Sequence, residues 1–344
     1  MTHNAHVNER DNLTRWVRGQ QGHYEVYYLK FNDAKQHRAF WLRYTLTAPK
    51  SPKEKPVAEL WAIAFDAKDP TKNYAHKRSW PIEALEFGVN RFFFDIDGHR
   101  LTHEGCSGQL GNGDNRIAWD ITFEPDPLPT FRHFPRQAMY NLKLPKTKVL
   151  APNLSMKVSG VVNAFGDTMV LKSAPGHQAH IWGSQHARQW AWANCNMFED
   201  TEKPVCFEAL SAQIAIGPVS IPHLTLCALR VGDEEYLFNT PADLLRSESS
   251  YDLRSWHIQA EHKDLRLEAV IENDPARMVG VTYTDPDGST RICNNSKQAD
   301  MRLTLQRREG DGWTTLHSLH SMPCGVAYEV VGPEAHPDVT VKIL

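Results

Sequence analysis

Several things are missing from this 344-residue chain. It has no apolar run of about eighteen residues or more, so no segment reads as a membrane-spanning helix. It has no excess of one charge: 38 Lys and Arg stand against 41 Asp and Glu, a net −3. That balance excludes a generally basic nucleic-acid surface. Its six cysteines, at 106, 195, 206, 227, 293 and 324, form no Cys-x-x-Cys pair. They are scattered through a chain far longer than the small disulfide-stapled secreted domains, so they read as reduced thiols of a cytoplasmic protein. The opening residues, Met1 to Arg10, put no apolar run behind a basic start, which argues against a secretory leader. Neither Gly-x-Ser-x-Gly nor His-Glu-x-x-His occurs, so the serine-hydrolase elbow and the zincin helix are both absent. Gly105–Gly113 is glycine-rich but precedes no helical pattern, which removes a phosphate cradle. His99 and His103 alternate faces on a hairpin pattern and do not converge on a metal. Helical periodicity is scarce, confined to Trp80–Glu86 and Pro241–Ser247.

Strand signals fill the remainder. Tyr24–Phe31, Phe40–Leu46, Val57–Phe65, Arg91–Ile96, Ile117–Phe123 and Met156–Val162 are rich in β-branched and aromatic residues. Cys206–Ile216, Leu224–Val231, Ser255–Ala260, Leu265–Ile271, Met278–Thr284, Met301–Gln306 and Gly325–Val331 continue the pattern. Asp97-Gly98, Gly232-Asp233 and Asp287-Gly288 punctuate them as hairpin turns. Apolar residues make up 41% of the chain, enough for a buried core. So many short strands exceed one small barrel, and the expectation is an all-β protein of two domains, 1–178 and 179–344, with few short helices. The six prolines between Pro125 and Pro152 read as an extended connection.

The densest signal is His180–Phe198. From Arg188 the residues alternate: Arg188, Trp190, Trp192, Asn194, Asn196 and Phe198 share one face, and Gln189, Ala191, Ala193, Cys195 and Met197 share the other. Rings beside amide tips suit a pocket for a mostly apolar ligand. The same face could instead cover a neighbouring domain, with the small Ala/Cys face packing inward. His180, among tryptophans, is a candidate proton carrier, or else a histidine bound to a backbone carbonyl. Glu208 lies inside the apolar run Val205–Leu210. Burial would raise its pKa and make it a proton donor; otherwise it faces water. Glu59 shares a face with Trp61 as a candidate orienting carboxylate.

These fragments, in order, resemble the tandem lipocalin-like superfamily of tocopherol cyclase, carotenoid 1,2-hydratase, AttH-like proteins and decalin-forming Diels–Alderases. The resemblance is carried by Tyr27–Phe31, Phe40–Leu46, Ala58-Glu59-Leu60-Trp61, Trp119–Phe123, Val158–Val162, and His180-Ile181-Trp182-Gly183 followed by Trp190-Ala191-Trp192. It implies two lipocalin-like antiparallel β-barrels of calycin type packed together, and a lipophilic terpenoid or polyketide-like substrate. It implies no metal and no organic cofactor. Acid-initiated hydration, cyclisation or isomerisation, or pericyclic cyclisation, is the implied chemistry; a non-catalytic carrier or sensor is the alternative. The expected catalytic residues are His180 and Glu208. The expected substrate-binding residues are Glu59, Trp61, Trp182, Trp190, Trp192, Asn194 and Asn196. A lipophilic small molecule is the expected partner, without nucleic acid or a membrane span, and with peripheral membrane contact and oligomeric state left open.

Overall fold

The computed structural model describes residues 3–213, 215–216, 219–220 and 223–343. Ile214, inside the expected Cys206–Ile216 strand, lies outside them. Two twelve-stranded sheets dominate, and the only α-helices among the described residues are His3–Asp11 and Pro241–Arg246. The first sheet holds strands from His23–Asp33 to Asp167–Gly183, and the second begins at Gln189–Cys195. The chain therefore passes from one sheet to the other across 184–188. Residues 179–183 pair with Tyr24–Tyr28 in the first sheet. The all-β expectation of two near-barrels thus holds.

The burial of each strand follows from what covers it. Ile117–Glu124 alternates buried and open positions because one face meets solvent. His23–Asp33 and Arg38–Ala48 are buried almost throughout. A sheet covered on both faces needs apolar residues at consecutive positions. Tyr27, Leu29 and Phe31 point into the first sheet's own core. Val26 and Tyr28, on the opposite face, join a second core with Trp41, Trp61, Trp192, Val279, Val281 and Cys293. That core is the seam between the sheets. Ala191, Ala193 and Cys195 fill the second sheet's own core. The Trp/Asn face of this strand therefore covers the neighbouring sheet, and the small face packs inward.

Two local expectations changed. Trp80–Glu86 is not a helix. Trp80 is the penultimate residue of the strand Tyr74–Pro81, with its Nε1 donating to Asp97 at 2.8 Å, and a 3-10 turn at Ile82–Ala84 follows. The proline-rich stretch ends in a strand of eighteen residues, Thr147–Ala164, which pairs with Asp167–Gly183. Pro241–Arg246 forms as expected, with Thr240 and Asp243 closing a capping box. All six cysteines are free thiols. Among the described residues, no helix is long and apolar enough to cross a membrane.

Candidate functional site

A cavity of about 210 Å³ lies in the seam. Val26, Tyr28, Trp41 and Arg43 of the first sheet form one wall. Trp190, Trp192, Leu210, Tyr283 and Glu329 of the second form the other. Phe134, the 144–147 segment and the 185–188 crossover close the sides. Leu144, Lys146 and Arg188 are exposed, so the cavity opens beside them. An apolar cavity of about 150 Å³ accommodates benzene, so this one has room for a substituted ring or one end of a longer lipid. Gly183 shapes this edge: a Cβ there would collide with the Lys146 carbonyl, which accepts from Ser184 N–H at 3.1 Å.

The crossover delivers His186 to the wall. Its ring stacks on Tyr24 at 4.1 Å and on Trp190 at 5.5 Å. Asp285 accepts from His186 backbone N–H at 3.0 Å and from Nδ1 at 2.6 Å. Among the described residues Nε2 has no hydrogen-bond partner, and it is not sealed from solvent. Burial lowers the imidazole pKa from its ordinary value, and the Asp285 hydrogen bond only partly offsets this. Against its own burial, Asp285 is held below the usual carboxylate range by that same bond. The ring is therefore neutral at neutral pH, with Nδ1–H directed at Asp285 and a lone pair on Nε2.

Arg43 occupies the same cavity. It is buried, its Nε donates to Thr45 Oγ1 at 3.0 Å, and its guanidinium lies 4.0 Å from the Tyr283 ring centroid and 5.1 Å from that of Trp61. Glu329 is already occupied: Oε1 accepts from Lys297 Nζ at 2.8 Å and Asn295 at 3.1 Å.

The expected site residues separate into groups. Trp190 and Trp192 line the cavity; the others do not. Trp61 sits behind Arg43. Glu59 is drawn outward to Lys77 at 2.9 Å and Ser79 at 3.0 Å. Asn196 ties the sheets together, accepting from Lys30 Nζ at 2.8 Å and donating to the Gly176 carbonyl at 2.7 Å. Glu208 is fully buried behind Trp192, accepting from Trp192 Nε1 at 2.7 Å, His133 Nε2 at 3.0 Å and Asn194 Nδ2 at 3.1 Å. Burial does push its pKa up, but His133, His177 and Trp192 outweigh burial and leave it below the ordinary value. The expectation of a raised pKa is thereby corrected: this carboxyl stays ionised because donors surround it.

His180 is fully buried away from the cavity. Nδ1 donates to the Asp11 carbonyl at 2.8 Å and Nε2 meets Glu25 Oε1 at 2.8 Å. Tyr27 stacks on its ring at 4.4 Å, and Trp182 lies tilted against it at 4.7 Å. Glu25 also accepts from Arg15 N–H at 2.7 Å, Trp16 N–H at 2.9 Å and the Tyr27 hydroxyl at 3.0 Å. Despite burial, the hydrogen bonds from His180 and His23 hold its pKa at about 2.

His186, Asp285, Arg43 and Tyr283 escaped the sequence reading. The rule that singled out Glu208, an ionisable residue inside an apolar strand, applies equally to Arg43 in Phe40–Leu46. Asp285 lay hidden in a turn signal, Asp285-Pro286-Asp287-Gly288.

Comparison with known proteins adds lineage. The tocopherol cyclase-like family pattern matches residues 96–332. Two uncharacterized proteins of Mycobacterium tuberculosis, from strains CDC 1551 and H37Rv, are each 25% identical over 316 residues, covering 90% of this chain and 88% of theirs. A putative AttH from Nitrosomonas europaea shares the fold at a TM-score of 0.56 and 14% identity, covering 94% of this chain and all of its own. A kievitone hydratase from Nectria haematococca aligns at a TM-score of 0.44 and 13% identity, over 90% of this chain and 88% of its own.

Proposed function

Because the chain belongs to the tocopherol cyclase-like family, we propose that it takes a lipophilic, unsaturated small molecule into the seam cavity and adds water or an internal hydroxyl across a double bond. The observation that carries this reading is the His186–Asp285 dyad: its histidine lines a largely apolar and aromatic cavity, and Nε2 has no hydrogen-bond partner among the described residues.

Asp285 fixes the tautomer, so Nε2 is the basic atom. Nε2 takes the proton of the attacking hydroxyl as the new C–O bond forms. The π electron pair moves into a carbonyl conjugated to the double bond, and the same proton then passes from Nε2 to the other alkene carbon. The addition balances and is redox-neutral. Trp190, Trp192 and Tyr283 exclude bulk water and hold the alkene in reach. Glu208 contributes by orienting the Trp192 indole, since its ionised carboxylate is not a proton donor at neutral pH.

The test begins with the natural ligand. Protein purified from its own host is probed by native mass spectrometry, and the extracted small molecule is used as substrate for wild type and H186Q. Loss of general-base catalysis lowers kcat roughly 10²-fold, with ligand affinity retained. Turnover unchanged in H186Q would remove the base. Ligand bound tightly by wild type with no turnover at all would favour a carrier.

A further inference from the structure

Arg43 is a buried cation with no ion-pair partner among the described residues. Its Nε is satisfied by Thr45, but Nη1 is buried without a hydrogen bond. Tyr283 and Trp61 offer it ring faces and no carboxylate. Lys297, another buried cation of the seam, is by contrast paired directly with Glu329 at 2.8 Å. A guanidinium buried without a counter-charge is unfavourable, and its planar fork is the side chain best matched to a carboxylate. This one also lines the cavity, beside Tyr28 and Trp61 in strand register.

We infer that the cavity ligand carries a carboxylate, bound by the Arg43 guanidinium, at the end of its apolar body. The inference rests on the seam cavity being the ligand site, and it narrows the ligand from any lipophile to a lipophilic acid. Arg43 would take both carboxylate oxygens, and the apolar part would lie along Trp190 and Trp192. The exposed Lys146 beside the opening suits the entry of an anion.

The probe pair is 4-phenylbutyrate and 4-phenylbutan-1-ol, which differ mainly in the charged head. Binding is measured by titration calorimetry with wild type, R43Q, R43K and, as a control outside the cavity lining, R302Q. Wild type is expected to bind the acid at least about tenfold more tightly than the alcohol. R43Q should bring the ratio near one, R43K should retain part of it, and R302Q should leave it intact. Equal binding of acid and alcohol to wild type overturns the inference while leaving the apolar cavity standing. A preference that survives in R43Q also overturns it. Binding of neither probe overturns both this inference and the cavity as a ligand site. The wild-type ratio requires no variant, so equal binding overturns the inference even if R43Q folds poorly, and R43K then carries the assignment to Arg43.

Discussion

His180 and His186 lie on either side of Gly183, and each meets a buried carboxylate. Their environments differ in one respect. His180 has a partner on both ring nitrogens, a carbonyl and Glu25, and every nearby donor also converges on Glu25. His186 lines the cavity and has Asp285 on one nitrogen and, among the described residues, no hydrogen-bond partner on the other. A histidine beside an acid is therefore not in itself a sign of chemistry; an unspent valence facing a cavity is. The first pair fastens residues 11–16 to the first sheet. The second holds a basic nitrogen ready.

The comparison breaks most severely at Glu25. E25Q removes an acceptor that five donors share, and we expect it to destabilise the fold by about 3 kcal/mol at neutral pH. The sign follows from a folded pKa near 2 against an ordinary 4.5. This carboxylate's contribution is complete above about pH 4.5 and is lost as pH falls toward 2. Denaturant titrations between those limits should show a slope in wild type that flattens in E25Q, together with easier proteolysis near residues 11–16. Retained stability and an unchanged acid slope would mean that the Glu25 cluster fastens nothing.

Asp285 sharpens the other half. D285N should slow turnover by about tenfold, or 1.4 kcal/mol of barrier, with a smaller change in stability. Because the active ring is neutral, turnover falls as the ring protonates, at a pH below the ordinary histidine range. Asp285 raises that pKa, so D285N should move the acid limb of the pH–rate profile to still lower pH. A limb that stays in place would separate the dyad from the chemistry. The smallest effect is expected at Glu59. Its pairing with Lys77 is near the surface and away from the cavity, so E59Q should change stability by less than about 1 kcal/mol and leave ligand binding intact. A large loss of binding would return Glu59 to the site.

Most of the fold was legible in the sequence, for identifiable reasons. Alternation reports a sheet with one wet face, and Ile117–Glu124 carries it. Ordered fragments such as Phe40–Leu46 and His180–Gly183 carried the resemblance, which agrees with the family match. The cavity was only half legible. Trp190 and Trp192 announce an aromatic face, but what that face meets depends on how two sheets dock. Arg43, His186 and the Tyr283–Asp285 stretch lie far apart in the chain, and no local pattern joins them. Glu208 illustrates the complementary difficulty: the sequence left burial and a solvent-facing position both open, and the donors that keep it ionised include His133, which comes from the proline-rich connection.

The walls of the cavity have a bearing on biosynthesis. Val26, Tyr28 and Arg43 leave the ribosome early, whereas Tyr283 and Glu329 emerge near the end. Neither half of the chain forms this cavity by itself. The cavity comes into being only when the two halves dock, so a nascent or truncated chain can complete its first sheet and still lack the opposite wall. Under the proposed function, ligand capture would be a readout of assembly, and a molecule lodged in the seam would act as a clasp between the halves.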